Sequence, residues 1–309
     1  MGREKFLLLG GNGLQQSIGI DIGGTNIRIV ITDENGHIQY SNERKTEHYV
    51  SDYLRNMNEM IAEALGKTDK PIAGIGIGVP GTVDVYSGTV IIATALGWKD
   101  FNLKNYIEDK FKLPVEVEND ANAWTIAEKL IGAGRNTENF VMITIGTGIG
   151  AGLYIHDKLY RGANFQAGEI GYFPIGLEAY EEKVSFQEFG FFEKKASAHG
   201  ASSYYMKRTN NMIGCKEIFQ LSRDGEYEAY IVTEEVYKYL GIGISTIICL
   251  LNPEKIIFGG GMSREGETFI SKVKEKVEEL TPMKTTFQLS ETGHFGGAIG
   301  SGLLIFKEK

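Results

Sequence analysis

Two stretches of this chain repeat one pattern, and that repetition constrains the fold more than any other feature. "IGIDIGGTNIRIVITDENGHI" (18–38) and "VMITIGTGIGAGLYIHDKLY" (141–160) each run from an apolar strand through a Gly/Thr turn into a second alternating strand and a polar turn. The alternation has a strand's period of two, and "DENG" and "HDK" fall where hairpin turns belong. Aligning the turns sets Asp21 against Thr144, and Gly23-Gly24-Thr25 against Gly146-Thr147-Gly148. The pattern predicts a duplicated α/β unit, with one half in each of two domains.

The segments between and after the hairpins fill out that plan. "DYLRNMNEMIAEAL" has helical periodicity, and "IAGIGIGVPG" reads as a strand entering a loop. "NLKNYIEDKFKL" reads as a helix, "PVEVEND" as a strand, and "ANAWTIAEKLIGAG" as a helix ended by glycine. Beyond the second hairpin, "TEEVYKYLGIGISTIICLLNP" is a long apolar helix stopped at Asn252-Pro253, and "KIIFGGG" is a strand. A helix over 265–280 and the tail "GGAIGSGLLIF" close the chain. This order predicts two domains of mixed sheet and helix with a cleft between them.

Composition excludes some partners. Thirty-two basic against forty acidic residues give a net charge of −8, which disfavours nucleic acid and anionic membranes. Forty glycines against six prolines, clustered after apolar strands, suit backbone brought close to phosphates or to other backbone. Two cysteines make no disulfide framework, and Cys249, inside "STIICLLNP", reads as a small buried apolar residue. "FLLLGG" is too short and Gly-broken for a signal sequence, and the apolar run around Leu240–Leu251 falls short of the roughly 18–20 residues of a membrane span. A cytoplasmic location is expected. Residues 1–17 match no motif and read as an extra N-terminal segment.

Chemistry is concentrated in short motifs. A Gly/Thr turn between hairpin strands can present successive backbone N–H groups to phosphate oxygens, with a Thr hydroxyl adding a donor. Ordinary turn chemistry accounts for either turn alone. Two turns in duplicated halves could grip one polyphosphate. "FGGGMS" (258–263) adds a glycine cluster after a strand, where a flat adenine could lie against bare backbone. Asp21 ends an apolar strand beside the first turn, so its carboxylate could hold Mg²⁺ directly or through water. In "EVENDANAW" (116–124), Asn119-Asp120 stand where a strand gives way to a helix. Asp120 there is either the helix N-cap or, with Asn119, a set of donors and acceptors matched to vicinal hydroxyls.

"DIGGTN", "GVPG" (78–81), "ENDAN", "TIGTGIGAG" and "AGEIG", in that order and spacing, resemble the ROK family of sugar kinases, within the superfamily of hexokinase, actin and chaperone-type ATPases. The likeness runs from about residue 18 to the C-terminus. It implies two duplicated ribonuclease-H-like domains with an interdomain cleft: 18–120 plus a C-terminal helix at about 296–309, and 121–295. It also implies ATP- and Mg²⁺-dependent phosphoryl transfer to a sugar hydroxyl. Asp120 matches the catalytic Asp that accepts or orients the hydroxyl proton. Gly81, Asn119, Asp120 and Glu169 match sugar-site positions. Asp21, Gly23, Gly24, Thr25, Asn26, Thr147 and Gly148 match the phosphate loops, and Gly260 and Gly261 the adenosine loop.

Many family members follow "GEIGH" with a Cys-rich loop that holds structural zinc. Here the His position is Tyr172 and the Cys positions are Val184, Phe186 and Phe191. Val and Phe offer no metal ligand and phenol is a poor one, so no zinc is expected. Burial would replace it, each apolar side chain contributing roughly 1.5–3 kcal/mol. Tyr172 still offers a hydroxyl to sugar. Glu193 matches a sugar-contacting Glu, with a solvated charge beside Lys194 and Lys195 as the competing reading. Ala95 stands where the family often has Asn, which leaves the sugar undefined.

The expected activity is a hexose kinase acting on glucose at the 6-hydroxyl, with N-acetylmannosamine and β-glucosides as alternative substrates and a homodimer as the assembly implied by the family. The competing class is a sugar-sensing repressor. The seventeen residues before the first strand are too few for a DNA-reading module. An actin-like or chaperone-like ATPase would not need "ENDAN" and "AGEIG" together.

Overall fold

A computed structural model of the chain describes residues 14–46, 50–180 and 189–306. In chain order its elements are β1 (Gln16–Ile22), β2 (Asn26–Asp33), β3 (Ile38–Lys45), α1 (Val50–Leu65), β4 (Ile72–Val79), β5 (Thr82–Asp84), β6 (Thr89–Ala93) and β7 (Trp98–Asn102). There follow α2 (Leu103–Phe111), β8 (Val115–Asn119), α3 (Asp120–Ile131), β9 (Phe140–Ile145), β10 (Ile149–Ile155) and β11 (Lys158–Tyr160). The remainder is α4 (Phe191–Ala196), α5 (Ala198–Thr209), α6 (Cys215–Arg223), α7 (Tyr227–Leu251), β12 (Lys255–Gly259), α8 (Glu267–Glu278), β13 (Thr286–Leu289) and α9 (Gly296–Leu303).

The duplication is visible in the sheets. One has the order β3-β2-β1-β4-β8, the other β11-β10-β9-β12-β13. In the first, β1–β2 and β2–β3 are antiparallel while β1–β4 and β4–β8 are parallel. In the second, β10–β11 is antiparallel and β12–β13 parallel. The two five-strand orders match position for position, β3-β2-β1-β4-β8 with β11-β10-β9-β12-β13. By packing, the chain forms two compact units. One comprises the described part of Met1–Met142 with Gly152–Ala167 and Ser290–Lys309, the other Ile143–Ala151 with Gly168–Leu289.

In the first unit the strand period sorts side chains onto two faces. Ile18, Ile20 and Ile22 of β1 pair in register with Ile31, Ile29 and Ile27 of β2, and all six are fully buried. They join Met57, Met60 and Ile61 of α1 and Leu103 and Ile107 of α2 in one core cluster. The opposite face of β1 and β4 carries glycine, and α9 lies directly on it. A Cβ on Gly19 would stand 1.9 Å from the Ala298 carbonyl oxygen, and one on Gly76 1.7 Å from that of Ser301. Alternating Ile and Gly in "IGIDIG" and "IGIGV" thus encodes a buried face and a helix bed at once. The three-stranded sheet β5-β6-β7 was not legible in the sequence.

The second unit is organised around α7. This helix begins at Tyr227, six residues before the sequence-based start, because Glu226 caps it by accepting from Glu228 and Ala229 N–H, a role outside the usual Ser/Thr/Asp/Asn set. It ends as expected at Asn252, left-handed at φ 43°, followed by Pro253. Phe192 of α4 is fully buried, and a Cβ on Gly243 would fall 2.4 Å from its ring. One expectation is corrected here. Cys249 is exposed rather than buried, on the same side of α7 as Ile242 and Leu250, which are 39% and 75% exposed. An apolar run shows that a helix is packed but not which of its faces is covered. Among the described residues no helix is long and apolar enough to cross a membrane.

Candidate active site

The junction between β8 and α3 carries "ENDAN". Asn119 ends the strand in extended conformation and its Oδ1 accepts the Asn122 N–H at 3.0 Å, so Asn119, not Asp120, is the N-cap. Its Nδ2 donates to the Gly81 carbonyl at 3.1 Å, which leaves one Nδ2 hydrogen for another acceptor. Gly81, in the turn after "GVP", has φ 130°. A Cβ there would lie 2.2 Å from the Ile92 carbonyl oxygen, so glycine is required to bring this carbonyl to Asn119. Asp120 is the first residue of α3, partly exposed, and its Oδ1 accepts the Ala121 N–H at 2.8 Å. A carboxylate is electrostatically favoured at that helix end.

The first glycine turn is held by Thr46, one residue past the end of β3. Thr46 donates through N–H to the Thr25 carbonyl and through Oγ1 to the Gly24 carbonyl, both at 2.9 Å, while Gly23 N–H donates to Asn26 O at 2.9 Å. In a trans peptide the N–H points opposite to the C=O of the same unit. Tying the Gly24 and Thr25 carbonyls to Thr46 therefore turns the Thr25 and Asn26 N–H groups the other way. Gly24 and Thr25 are exposed, and a Cβ on Gly24 would meet no heavy atom within 4 Å.

Beside this turn Asp21 is buried at the end of β1, and its Oδ2 accepts from Arg28 Nη1 at 3.2 Å. Burial pushes its carboxyl above the usual range, outweighing the pull of Arg28. Arg28 also pairs with Glu43 at 3.2 Å, and Glu43 meets His294 Nε2 at 2.7 Å. Burial would raise Glu43, but the His294 hydrogen bond and the Arg28 charge together hold it below its usual value. Arg28, Glu43 and His294 were not singled out by sequence, since nothing local marks His294 as a neighbour of β2. Among the described residues no three His, Cys, Asp or Glu side chains cluster as a metal site. Mg²⁺ that keeps its waters and binds phosphate needs only one or two protein carboxylates, and the single carboxylate Asp21 beside the turn fits that donor set.

The second turn obeys the same geometric rule by different means. Ser197 caps α5 by accepting the Gly200 N–H at 3.1 Å. The first two N–H groups of α5, which have no partner inside the helix, go to the turn: Ala198 donates to Gly146 O at 2.9 Å and His199 to Thr147 O at 3.4 Å. The Thr147 and Gly148 N–H groups are thereby directed away from α5. Thr147 is exposed, and a Cβ on Gly146 would meet nothing within 4 Å. Gly260 and Gly261 follow β12, as expected. The Gly260 carbonyl accepts Ser263 Oγ at 3.0 Å, and a Cβ on Gly261 would likewise meet nothing.

Glu193 adjoins this second turn. Its Oε1 accepts the Ile149 N–H at 2.8 Å and its Oε2 the Gly190 N–H at 3.0 Å. A Cβ on Gly148 would be 2.3 Å from Oε1, and one on Gly171 2.6 Å from Cγ. The carboxylate is therefore bound to backbone rather than solvated beside its lysines, whose ammonium groups lie over Phe191 and Tyr239. Burial, then the Glu193 charge, raises Glu169 to about 6. Burial, then the charges of Glu169 and Glu193, raises Tyr172 to about 12, so its phenol stays protonated. Of the loop positions matched to zinc ligands, Phe191 is buried in α4, whereas Val184 and Phe186 lie outside the described residues.

The structure thus brings together Asp21 with the first turn, Gly81 with Asn119 and Asp120, and Glu193 with Gly148, Glu169 and Tyr172. The family model described as ROK family matches residues 17–308. Over 94% of this chain and 95% of its own length, a glucokinase of Halalkalibacterium halodurans is 30% identical. A xylose repressor of Caldicellulosiruptor bescii is 32% identical over 90% of this chain and 74% of its own. Among solved structures, a ROK family glucokinase from Streptomyces griseus in complex with glucose and AMPPNP superposes with a TM-score of 0.83. It is 28% identical and covers 94% of this chain and 98% of that one.

Proposed function

The chain belongs to the ROK family, and on that premise we propose that it is an ATP-dependent sugar kinase that phosphorylates a hexose, with glucose at the 6-hydroxyl as its substrate. The observation that carries this reading is the β8–α3 junction. Asn119 takes over the helix cap, so that Asp120, one residue on, is not needed for it.

In this reading Asp120 is the catalytic residue: it accepts the proton of the sugar hydroxyl as that oxygen attacks the γ-phosphorus and the bond to the ADP oxygen breaks. Phosphoryl transfer passes through a loose transition state, so orientation and charge supply most of the acceleration. Gly81, Asn119, Glu169, Tyr172 and Glu193 would bind sugar. Tyr172, as a phenol, can donate to hydroxyl oxygens, and Glu169, whose carboxyl titrates at about 6, can accept from hydroxyl groups once ionised. Gly23, Gly24, Thr25, Asn26, Thr147 and Gly148 would bind the phosphates through the N–H groups oriented by Thr46 and α5, and Gly260 and Gly261 the adenosine. Mg²⁺ held by Asp21 would neutralise charge across the phosphates. The functional domains of this reading are 18–120 with about 296–309, and 121–295. A cytoplasmic homodimer is part of the same proposal.

A sugar-responsive regulator is the second reading, supported by the repressor relative. A coupled assay of ADP release across hexoses, N-acetylated hexoses, β-glucosides and pentoses separates the two. The kinase reading expects sugar-dependent ADP release that chelation of Mg²⁺ abolishes. Saturable sugar binding with no ADP release from any sugar would favour the regulator.

A further inference from the structure

Behind the junction lies a charge pair that the proposed reaction does not use directly. Glu118, the residue before Asn119, has a side chain only 3% exposed. Its Oε2 accepts from Arg161 Nε at 2.8 Å and from Nη2 at 2.7 Å. Its Oε1 accepts the backbone N–H of Asn119 and the Nδ2 of Asn122, each at 3.1 Å. Asn122 N–H in turn donates to Asn119 Oδ1 at 3.0 Å. Glu118, Asn119 and Asn122 form a closed ring of hydrogen bonds, and Asp120 is the residue that this ring brackets.

The buried carboxylate, and to a lesser degree the partly exposed guanidinium, give up hydration to pair, and a well-packed apolar pair of the same volume is often as stable. The pair therefore has little value as general packing. What it does locally is specific. One Glu118 oxygen fixes the peptide plane just before Asn119 and the first turn of α3. The other is saturated by Arg161, whose fork leaves it no freedom to rotate. Arg161 follows β11, and its carbonyl accepts the Ala167 N–H at 3.1 Å, so the backbone that carries this side chain is held by the 161–167 turn.

We propose that Glu118 and Arg161 are positioning residues for Asp120: together they set where its carboxylate stands relative to the incoming hydroxyl. This rests on the kinase reading, since the hydroxyl is that of the proposed sugar. A misplacement near 1 Å can cost about 100-fold in rate. Glu118→Gln should thus lower kcat by about 10- to 100-fold, with the KM for ATP unchanged within about twofold. In that variant one of the two contacts is lost: the amide NH2 faces either the Arg161 guanidinium or the Asn119 N–H and Asn122 Nδ2 donors, and in the second case the ring opens.

The double variant Glu118→Gln/Arg161→Gln allows a neutral amide–amide hydrogen bond and should recover part of the lost kcat. In an Asp120→Asn background, Glu118→Gln should have no further effect, because it acts through the carboxylate already removed. A purely structural role would lower the residual rate again. A crystal structure of Glu118→Gln reads the same claim without turnover: displacement of the Asp120 carboxyl supports it, and an unmoved carboxyl overturns it. Equal kcat losses with Asp120 intact and in the Asp120→Asn background would also overturn it. If the unsubstituted chain releases no ADP with any sugar, the kinase reading fails, and the crystal structure still decides whether the pair positions Asp120.

Discussion

Asn119 donates from Nδ2 to the Gly81 carbonyl at 3.1 Å, tying the end of β8 to the turn after β4. The contact depends on a backbone that only glycine adopts readily, at φ 130° and with the Ile92 carbonyl where a Cβ would be. Gly81→Ala should therefore lose roughly 1–3 kcal/mol of stability through backbone strain alone. Urea denaturation checks it: an unshifted midpoint would show that the turn relaxes freely.

Asp120→Asn keeps the oxygen that accepts the Ala121 N–H, so the helix start should survive. It removes the proposed base. The expected loss in kcat is about 10²- to 10⁴-fold, with the calorimetric Kd for sugar nearly unchanged. Near-normal turnover would mean that another group takes the proton.

Glu128 is fully buried in α3. Its Oε1 accepts from Ser290 Oγ at 2.5 Å, Thr292 Oγ1 at 2.6 Å and Thr292 N–H at 3.1 Å; its Oε2 accepts from Ala133 N–H at 2.8 Å and Glu291 N–H at 3.3 Å. Glu128→Ala strands several of these donors and should cost about 3 kcal/mol or more. Trp124 Nε1 donates to the same Thr292 hydroxyl at 2.9 Å, so tryptophan fluorescence should report the change. A loss below about 1 kcal/mol would show that the donors find other partners.

Glu169 provides a pH test. Its folded carboxyl titrates at about 6, above the ordinary 4.5, so the native state holds a proton that the unfolded chain has released. Its contribution is fully present below pH 4.5 and is lost as pH rises through about 6. Relative to Glu169→Gln, the unsubstituted protein should thus become less stable between those values. Parallel stability curves for the two proteins across that interval would refute the shift.

Both hairpins with their glycine turns, helices α1, α2 and α3, and strands β4, β8 and β12 were legible because period and turn chemistry act over a few residues. The order of motifs also carried the family, and with it the proposal that "ENDAN" is the chemical centre. The sequence did not reveal that Asn119 rather than Asp120 caps α3, because both residue types cap well and only the backbone angle separates them. Nor did it reveal which face of α7 leaves Cys249 exposed, or that Glu226 starts that helix.

The amino-acid order alone therefore determined two α/β halves with glycine hairpins, since strand alternation and turn-residue chemistry are local properties of the chain. Only tertiary structure decided that Glu118 meets Arg161, that Glu128 gathers donors from 290–292, and that α5 orients the 146–148 turn. Those bonds join groups far apart in sequence. Their distances depend on how whole elements pack, which no short window of residues encodes.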